Sequence, residues 1–308
     1  MLNRTEVIGE KNGGYITMKK ILSLVLAAAM ALSLAACGGQ SDNTQDQTSG
    51  SGSASSSAGS ASSQASSADS SAAKSDLAYV QDKGTLVVGI TEFEPMDYQD
   101  ASGQWIGFDA DMAKAFADSL GVEVEFQVID WDNKVFELDG KTIDVVWNGM
   151  TLTDEVKSAM ECSNAYCNNA QVVIVPADKA ADYQTVDSVK GLAFAVESGS
   201  AGKAEVEALG ADYTEVMDQA TALLEVSSGT ADAAVIDSLM AAAMVGEGTS
   251  YADLTYTVGL NSEEYGVGFR KGSDLAAALN DFFKAAYADG SMQTMAEAYG
   301  VQAALIAQ

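Results

Sequence analysis

The chain has 308 residues, no histidine and a formal net charge of −28. That length suits two domains. The charge argues against a nucleic-acid partner, whose phosphates need a basic footprint, and the missing histidine removes Ser–His–Asp and Cys–His catalysis together with His-bearing zinc sites. The three cysteines, Cys37, Cys162 and Cys167, are too few for a four-cysteine cluster, so neither a metal nor a cofactor is expected.

Met18, Lys19 and Lys20 precede an apolar run over residues 21–36 that ends in Leu34, Ala35, Ala36 and Cys37. A positive start, a short apolar core and small residues at its end describe an export signal. The run is shorter than the roughly 20 residues that a membrane-spanning helix needs. Residues 18–36 are therefore expected to be a signal peptide, and residues 1–17, which precede it, an untranslated extension. Leu-Ala-Ala-Cys resembles a bacterial lipobox, which implies a diacylated Cys37 as the first mature residue and membrane attachment through its lipid; the alternative is an ordinary signal peptide cut nearby. Residues 37–76 are rich in Ser, Ala, Gly, Gln and Asp and lack large apolar side chains. Such a segment cannot bury enough surface to offset its ordering entropy and reads as a flexible tether.

From Asp76 the composition turns globular. Strand-like apolar runs are expected at 85–90, 122–128, 143–147, 171–175, 192–196, 213–216, 232–236 and 265–269. Helical spacing marks 107–120, 131–138, 198 onward, 220–226, 237–245, 274–288 and 292–299. Asp109 and Thr153 read as helix N-caps and Gly121 as a helix stop. Residues 147–157 read as a strand end, a polar turn and a helix start. The alternation of strand and helix predicts parallel sheets covered on both faces, in two α/β lobes. Residues 199–203 mimic a phosphate loop, but Glu197 stands where its first glycine belongs, and Ala204 follows the lysine.

The motifs LVVG at 86–89, FxPxxY at 93–98, GFDADMAKA at 107–115, DW at 130–131 and DVVWNGMTLTDE at 144–155 recur in a known order. They continue with SxxY at 163–166, ESGSAG at 197–202, ADAAVID at 231–237 and YGVGFRKG at 265–272. In this order and spacing the chain resembles an extracytoplasmic solute-binding protein of the polar amino-acid ABC transporter family. The resemblance implies an α/β, two-lobed periplasmic-binding-protein-like (type II) fold with two crossover hinge strands, expected near 172–176 and 264–269. Lobe 1 is expected over 77–172 and 266–308, and lobe 2 over 173–265. The implied role is capture of an amino acid for a membrane permease with an ATPase subunit, by a monomer lipid-anchored on the outer face of the cell membrane. A sensor ectodomain or a dehydratase-like enzyme are alternatives on the same fold.

The helix start at Ser198, Ser200 and Ala201 offers N–H groups and a positive dipole end to a carboxylate; an ordinary capped turn is the plainer reading. Asp237, by resemblance, accepts an α-ammonium, although spacing alone also fits a simple N-cap. Phe93 and Trp131 are implied to sandwich the ligand, against plain lobe packing. Trp147 reads as core. Asn148, Gly149 and Thr151 match family positions that bond the ligand's charged ends. Val156 stands where the family's carboxylate-binding arginine is expected, and Lys157 should point elsewhere. Glu92, Glu94, Glu197 and Asp237 lean acidic around the site. The ligand is therefore either an amino acid held without that clamp or a more cationic compound such as a basic amino acid or polyamine. Cys162 and Cys167 admit a disulfide in an exported protein.

Overall fold

The computed structural model describes residues 75–308; the signal peptide, Cys37 and the expected tether up to residue 74 lie outside the described residues, and the tether's last two positions, Ser75 and Asp76, instead cap and open the first helix. Two sheets dominate. The first has the order β4-β1-β5-β13-β6, with β7 also pairing to β13. It is built from β1 (Thr85–Ile90), β4 (Glu123–Val128), β5 (Val145–Thr151), β6 (Glu161–Cys162), β7 (Cys167–Asn169) and β13 (Glu263–Phe269). The second has the order β10-β9-β11-β8-β12, from β8 (Gln171–Pro176), β9 (Ala193–Glu197), β10 (Asp212–Val216), β11 (Ala233–Asp237) and β12 (Leu254–Gly259). A small hairpin joins β2 (Tyr98–Gln99) to β3 (Trp105–Ile106).

In each sheet a parallel βαβ core is closed by antiparallel strands: β1 runs parallel to β4 and β5, and β9 to β10 and β11. The central strands are near-continuous apolar runs because helices cover both faces. On β5, Val145 and Trp147 face one cluster with Phe116 and Phe283, while Val146 and Met150 face a second with Ile129, Trp131 and Met160. The first lobe's helices are α1 (Asp76–Lys83), α2 (Phe108–Leu120), α3 (Lys134–Asp139), α4 (Asp154–Ala159), α9 (Leu275–Asp289) and α10 (Ser291–Ala298). The second carries α5 (Val186–Val189), α6 (Ala201–Leu209), α7 (Gln219–Ser228) and α8 (Ser238–Met244).

The chain passes between the sheets at Ala170 and again at 260–262. This corrects the expected crossings at 172–176 and 264–269, which form the bodies of β8 and β13. Val172 to Val175 are buried in the second sheet. An apolar run gains by lying inside a sheet, and the polar residues Asn168, Asn169, Asn261 and Ser262 flank the passages instead.

Three further expectations are corrected. The strand expected to end at 147 runs on to Thr151, because Met150 and Thr151 pair with Gly266 and Tyr265 of β13. Asp109 is not the N-cap of α2; Gly107 is, and Asp109 lies fully buried in the first turn. Its Oδ2 accepts from the Gly149 N–H and the Tyr166 hydroxyl, both at 2.7 Å, tying α2 to β5 and to the loop before β7. Cys162 and Cys167 are free thiols. They pair with Gly268 and Tyr265, three positions apart along β13, so their side chains join different clusters on opposite faces of the sheet. Thr153, by contrast, caps α4 as expected, accepting from the Val156 N–H at 3.1 Å.

Removing the Asp109 carboxylate leaves two buried donors without an acceptor, each costing about 1–3 kcal/mol. D109A should therefore lower unfolding free energy by about 2–6 kcal/mol in urea titrations, whereas Y166F, which removes one donor and leaves Asp109 its bond from the Gly149 N–H, should cost markedly less.

Candidate functional site

The carboxyl ends of β5, β9 and β11 meet at a cleft of about 580 Å³ between the lobes, where open α/β sheets commonly bind small molecules. Phe93, Trp131, Asn148, Gly149, Thr151, Ser200, Ala201 and Asp237 line it, so eight of the positions expected from the sequence converge. Val156 lines it too, while Lys157 is exposed and outside it.

Asp237 ends β11 and is buried, yet its side chain makes no capping bond to α8. Its carboxylate instead accepts from Gln171 at 3.0 Å, from the Tyr265 hydroxyl at 2.7 Å, and from Asn169 and Gln219. Half-buried Glu263 draws on two of the same donors, accepting from Asn169 at 2.7 Å and Gln171 at 2.8 Å, and also from Thr151 at 2.9 Å. Neither acid forms an ion pair among the described residues. Burial, with the Glu263 charge, pushes Asp237 up to about 7 against the pull of these hydrogen bonds. Burial, aided by the charges of Asp237 and Asp218, raises Glu197 to about 8. Glu197 lines the cleft, and its Oε1 is buried without a hydrogen-bond partner among the described residues.

The aromatic walls are fixed locally. Phe93 packs edge-on to Tyr265 with centroids 6.3 Å apart. It needs Gly149, whose φ is 54° and whose missing Cβ would lie 2.5 Å from the Phe93 ring. Trp131 sits under Lys134, whose Nζ lies 4.8 Å from the ring.

Several expected roles are altered by geometry. The Asn148 amide is fully used: its oxygen accepts from the Thr91 N–H and hydroxyl, and its nitrogen donates to Thr91 O and Asp97. It shapes the wall and has no spare side-chain bond. The Gly149 N–H is spent on Asp109. Ser198 does not line the cleft; its hydroxyl donates to Glu215. Ser200 caps α6 by accepting from the Lys203 N–H at 3.1 Å. Glu92 and Glu94 lie outside the lining.

Sequence reasoning missed Lys134, Asn169, Gln171, Gln219 and Glu263. Lys134 is three residues beyond Trp131, the spacing that stacks two side chains on one helical face, and that signal could have found it. Gln171 opens an otherwise apolar strand, a second visible anomaly.

Residues 86–302 match the family described as bacterial extracellular solute-binding proteins, family 3. The L-cystine-binding protein TcyJ of Escherichia coli (strain K12) is 30% identical over 222 residues, covering 71% of this chain and 83% of that protein. Among solved structures, a histidine-bound ABC uptake transporter substrate binding protein from Streptococcus pneumoniae aligns with a TM-score of 0.67 and 29% identity, over 75% of this chain and 98% of that one. An ancestral amino acid-binding protein, AncCDT-1, a precursor of cyclohexadienyl dehydratase, aligns with a TM-score of 0.67 and 32% identity, over 73% and 99%.

Asp109, Asp237 and Glu197 hold protons in the folded protein above the pH at which an ordinary carboxyl, near 4, has lost them. Their contribution to stability is full below about pH 4 and disappears as pH rises through about 7 to 8. Thermal melts of the ligand-free protein should accordingly show a lower midpoint at pH 8.5 than at pH 5.5.

Proposed function

The chain belongs to the bacterial extracellular solute-binding proteins of family 3, and from that premise we propose that it is the substrate-binding component of an ABC importer. It captures an amino acid between two closing lobes and delivers it to the membrane permease. The observation that carries the ligand class is Asp237. It is a buried carboxylate on the cleft wall held by neutral donors alone, so a ligand ammonium is the charge partner it lacks. Phe93 and Trp131 supply apolar walls for the rest of the molecule, and the start of α6 faces the cleft through Ser200 and Ala201.

A second reading, a cationic ligand such as a basic amino acid or polyamine, is favoured by the lining itself. It holds Asp132, Asp154, Glu155, Glu197, Glu207 and Asp237 against Lys134 and Lys203. A role in binding rather than turnover is part of this reading, and the similar proteins, which are named for binding, support it. The lobe limits expected from the sequence, moved to the passages at Ala170 and 260–262, belong to the same proposal. So do the signal peptide, the lipid on Cys37, a monomeric state and permease and ATPase partners. Cys37→Ser should then shift the exported protein out of the lipid-labelled membrane fraction.

A thermal-shift screen of L-amino acids and polyamines tests the ligand class. At a hundredfold excess over Kd a bound amino acid stabilises by about 2.7 kcal/mol, which raises the midpoint by several degrees. Polyamines acting alone would favour the second reading, and silence from every amino acid would sink the first. Because an ammonium needs Asp237 ionised, affinity should rise with pH across about 6 to 8, with proton release seen as buffer-dependent heats in calorimetry.

A further inference from the structure

Lys134 is the side chain whose placement the proposed role does not explain. It opens α3 in the first lobe, is buried, and is one of the residues that line the cleft. Nζ donates to Trp131 O in its own lobe and to Gly199 O in the other, both at 3.0 Å. Gly199 stands just before the N-cap of α6, and its φ of 68° lets the turn approach so closely that a Cβ there would lie 2.6 Å from Asp132 Oδ1.

An ammonium has three donors. Two are used on carbonyls, and among the described residues the third meets no oxygen acceptor, the ammonium lying 4.8 Å from the centre of the Trp131 ring. Among the described residues Lys134 forms no ion pair, whereas Lys203, the other lysine of the lining, is paired with Glu215 at 3.0 Å. Burial pulls the Lys134 pKa down, and the charges of Glu197, Asp132, Glu155 and Asp130 act against that pull at longer range. A buried cation without a contacting anion is costly unless a partner arrives. The Ala201 and Gly202 N–H groups, first in α6, also make no hydrogen bond among the described residues and add a positive helix end beside the same turn. Val156, in contrast, brings only methyl groups to the cleft.

We propose that Lys134 is the carboxylate anchor of this binding site, taking from the first lobe the charge that position 156 does not supply. With Asp237 on the opposing lobe it makes the cleft complementary to a zwitterion, a cation partner on one wall and an anion partner on the other. Because Nζ reaches Gly199 O, the anion site is complete only when the lobes are together, so recognition of the carboxylate is coupled to closure. The assignment rests on the amino-acid reading above and narrows it to compounds with a free carboxylate.

Calorimetry on the full chain tests it, using L-cystine and the standard L-amino acids, then the α-carboxamide of each that binds. The native protein should bind the carboxamide at least about 10-fold more weakly than the free acid, the range for a hydrogen bond to a charged group. K134M, which also loses the inter-lobe bond to Gly199 O, should weaken both ligands but the free acid about 10-fold or more beyond the carboxamide, so the preference collapses; K134R should retain it. D237N should weaken acid and carboxamide alike, since both keep the ammonium. Equal binding of acid and carboxamide by the native protein overturns the assignment without any variant, as does a native-like preference in K134M. Absence of binding by every amino acid overturns the amino-acid reading itself, and this assignment with it.

Discussion

Two carboxylates that share the same pair of amide donors set the terms for the rest of the molecule. Asp237 closes β11 in the second lobe, and Glu263 opens β13 in the first. Asn169 and Gln171, on either side of the first passage between the sheets, donate to both. Tyr265 adds a third link from β13 to Asp237, and Asn261 holds the other Glu263 oxygen at 2.9 Å. Each passage is therefore anchored to its neighbour through carboxylates that no cation contacts among the described residues. Neutral donors can satisfy the lone pairs of such a group but not its charge. Of the two, Asp237 lines the cleft, so under the proposed function the connection between lobes and the recognition of an ammonium draw on the same carboxylate.

The topology explains why these groups meet. In each sheet the parallel strands end on the same edge, and the polar residue after each apolar run falls at that edge. Glu197 follows β9's apolar core, Asp237 follows that of β11, and Thr151 ends β5. Opposite them, α3 and α6 point their first turns into the gap. Lys134 and Gly199 touch there because glycine admits both the positive φ and the close approach of Asp132.

Much of this was legible in the sequence. The order of strands and helices could be read because apolar runs and capping residues repeat with clear period, and eight of the expected cleft positions line one cavity. What could not be read follows from distance along the chain. The extension of β5 to Thr151 depends on β13, more than a hundred residues later, which pairs with a stretch that looks like a turn on its own. Asp109 carries every local mark of a cap, and its true partners, Gly149 and Tyr166, are supplied by other elements. Short strands such as β6 and β7 have no periodicity to detect; they exist because β13 offers them an edge. Lys134 was overlooked for a different reason: a lysine in a polar helix start reads as surface, and only the fold buries it.

The bond from Lys134 to Gly199 has an asymmetric vulnerability. Its acceptor is a main-chain oxygen, present whatever residue the gene encodes there, so drift in the second lobe erodes it only by disturbing the turn. Its donor rests on one codon in the first lobe. Selection acting on that codon alone can retune how firmly the halves of the molecule hold each other, while the partner surface stays as it is. Variation among descendants of this sequence should then gather on the α3 side of the gap, with the α6 turn held still by its glycine.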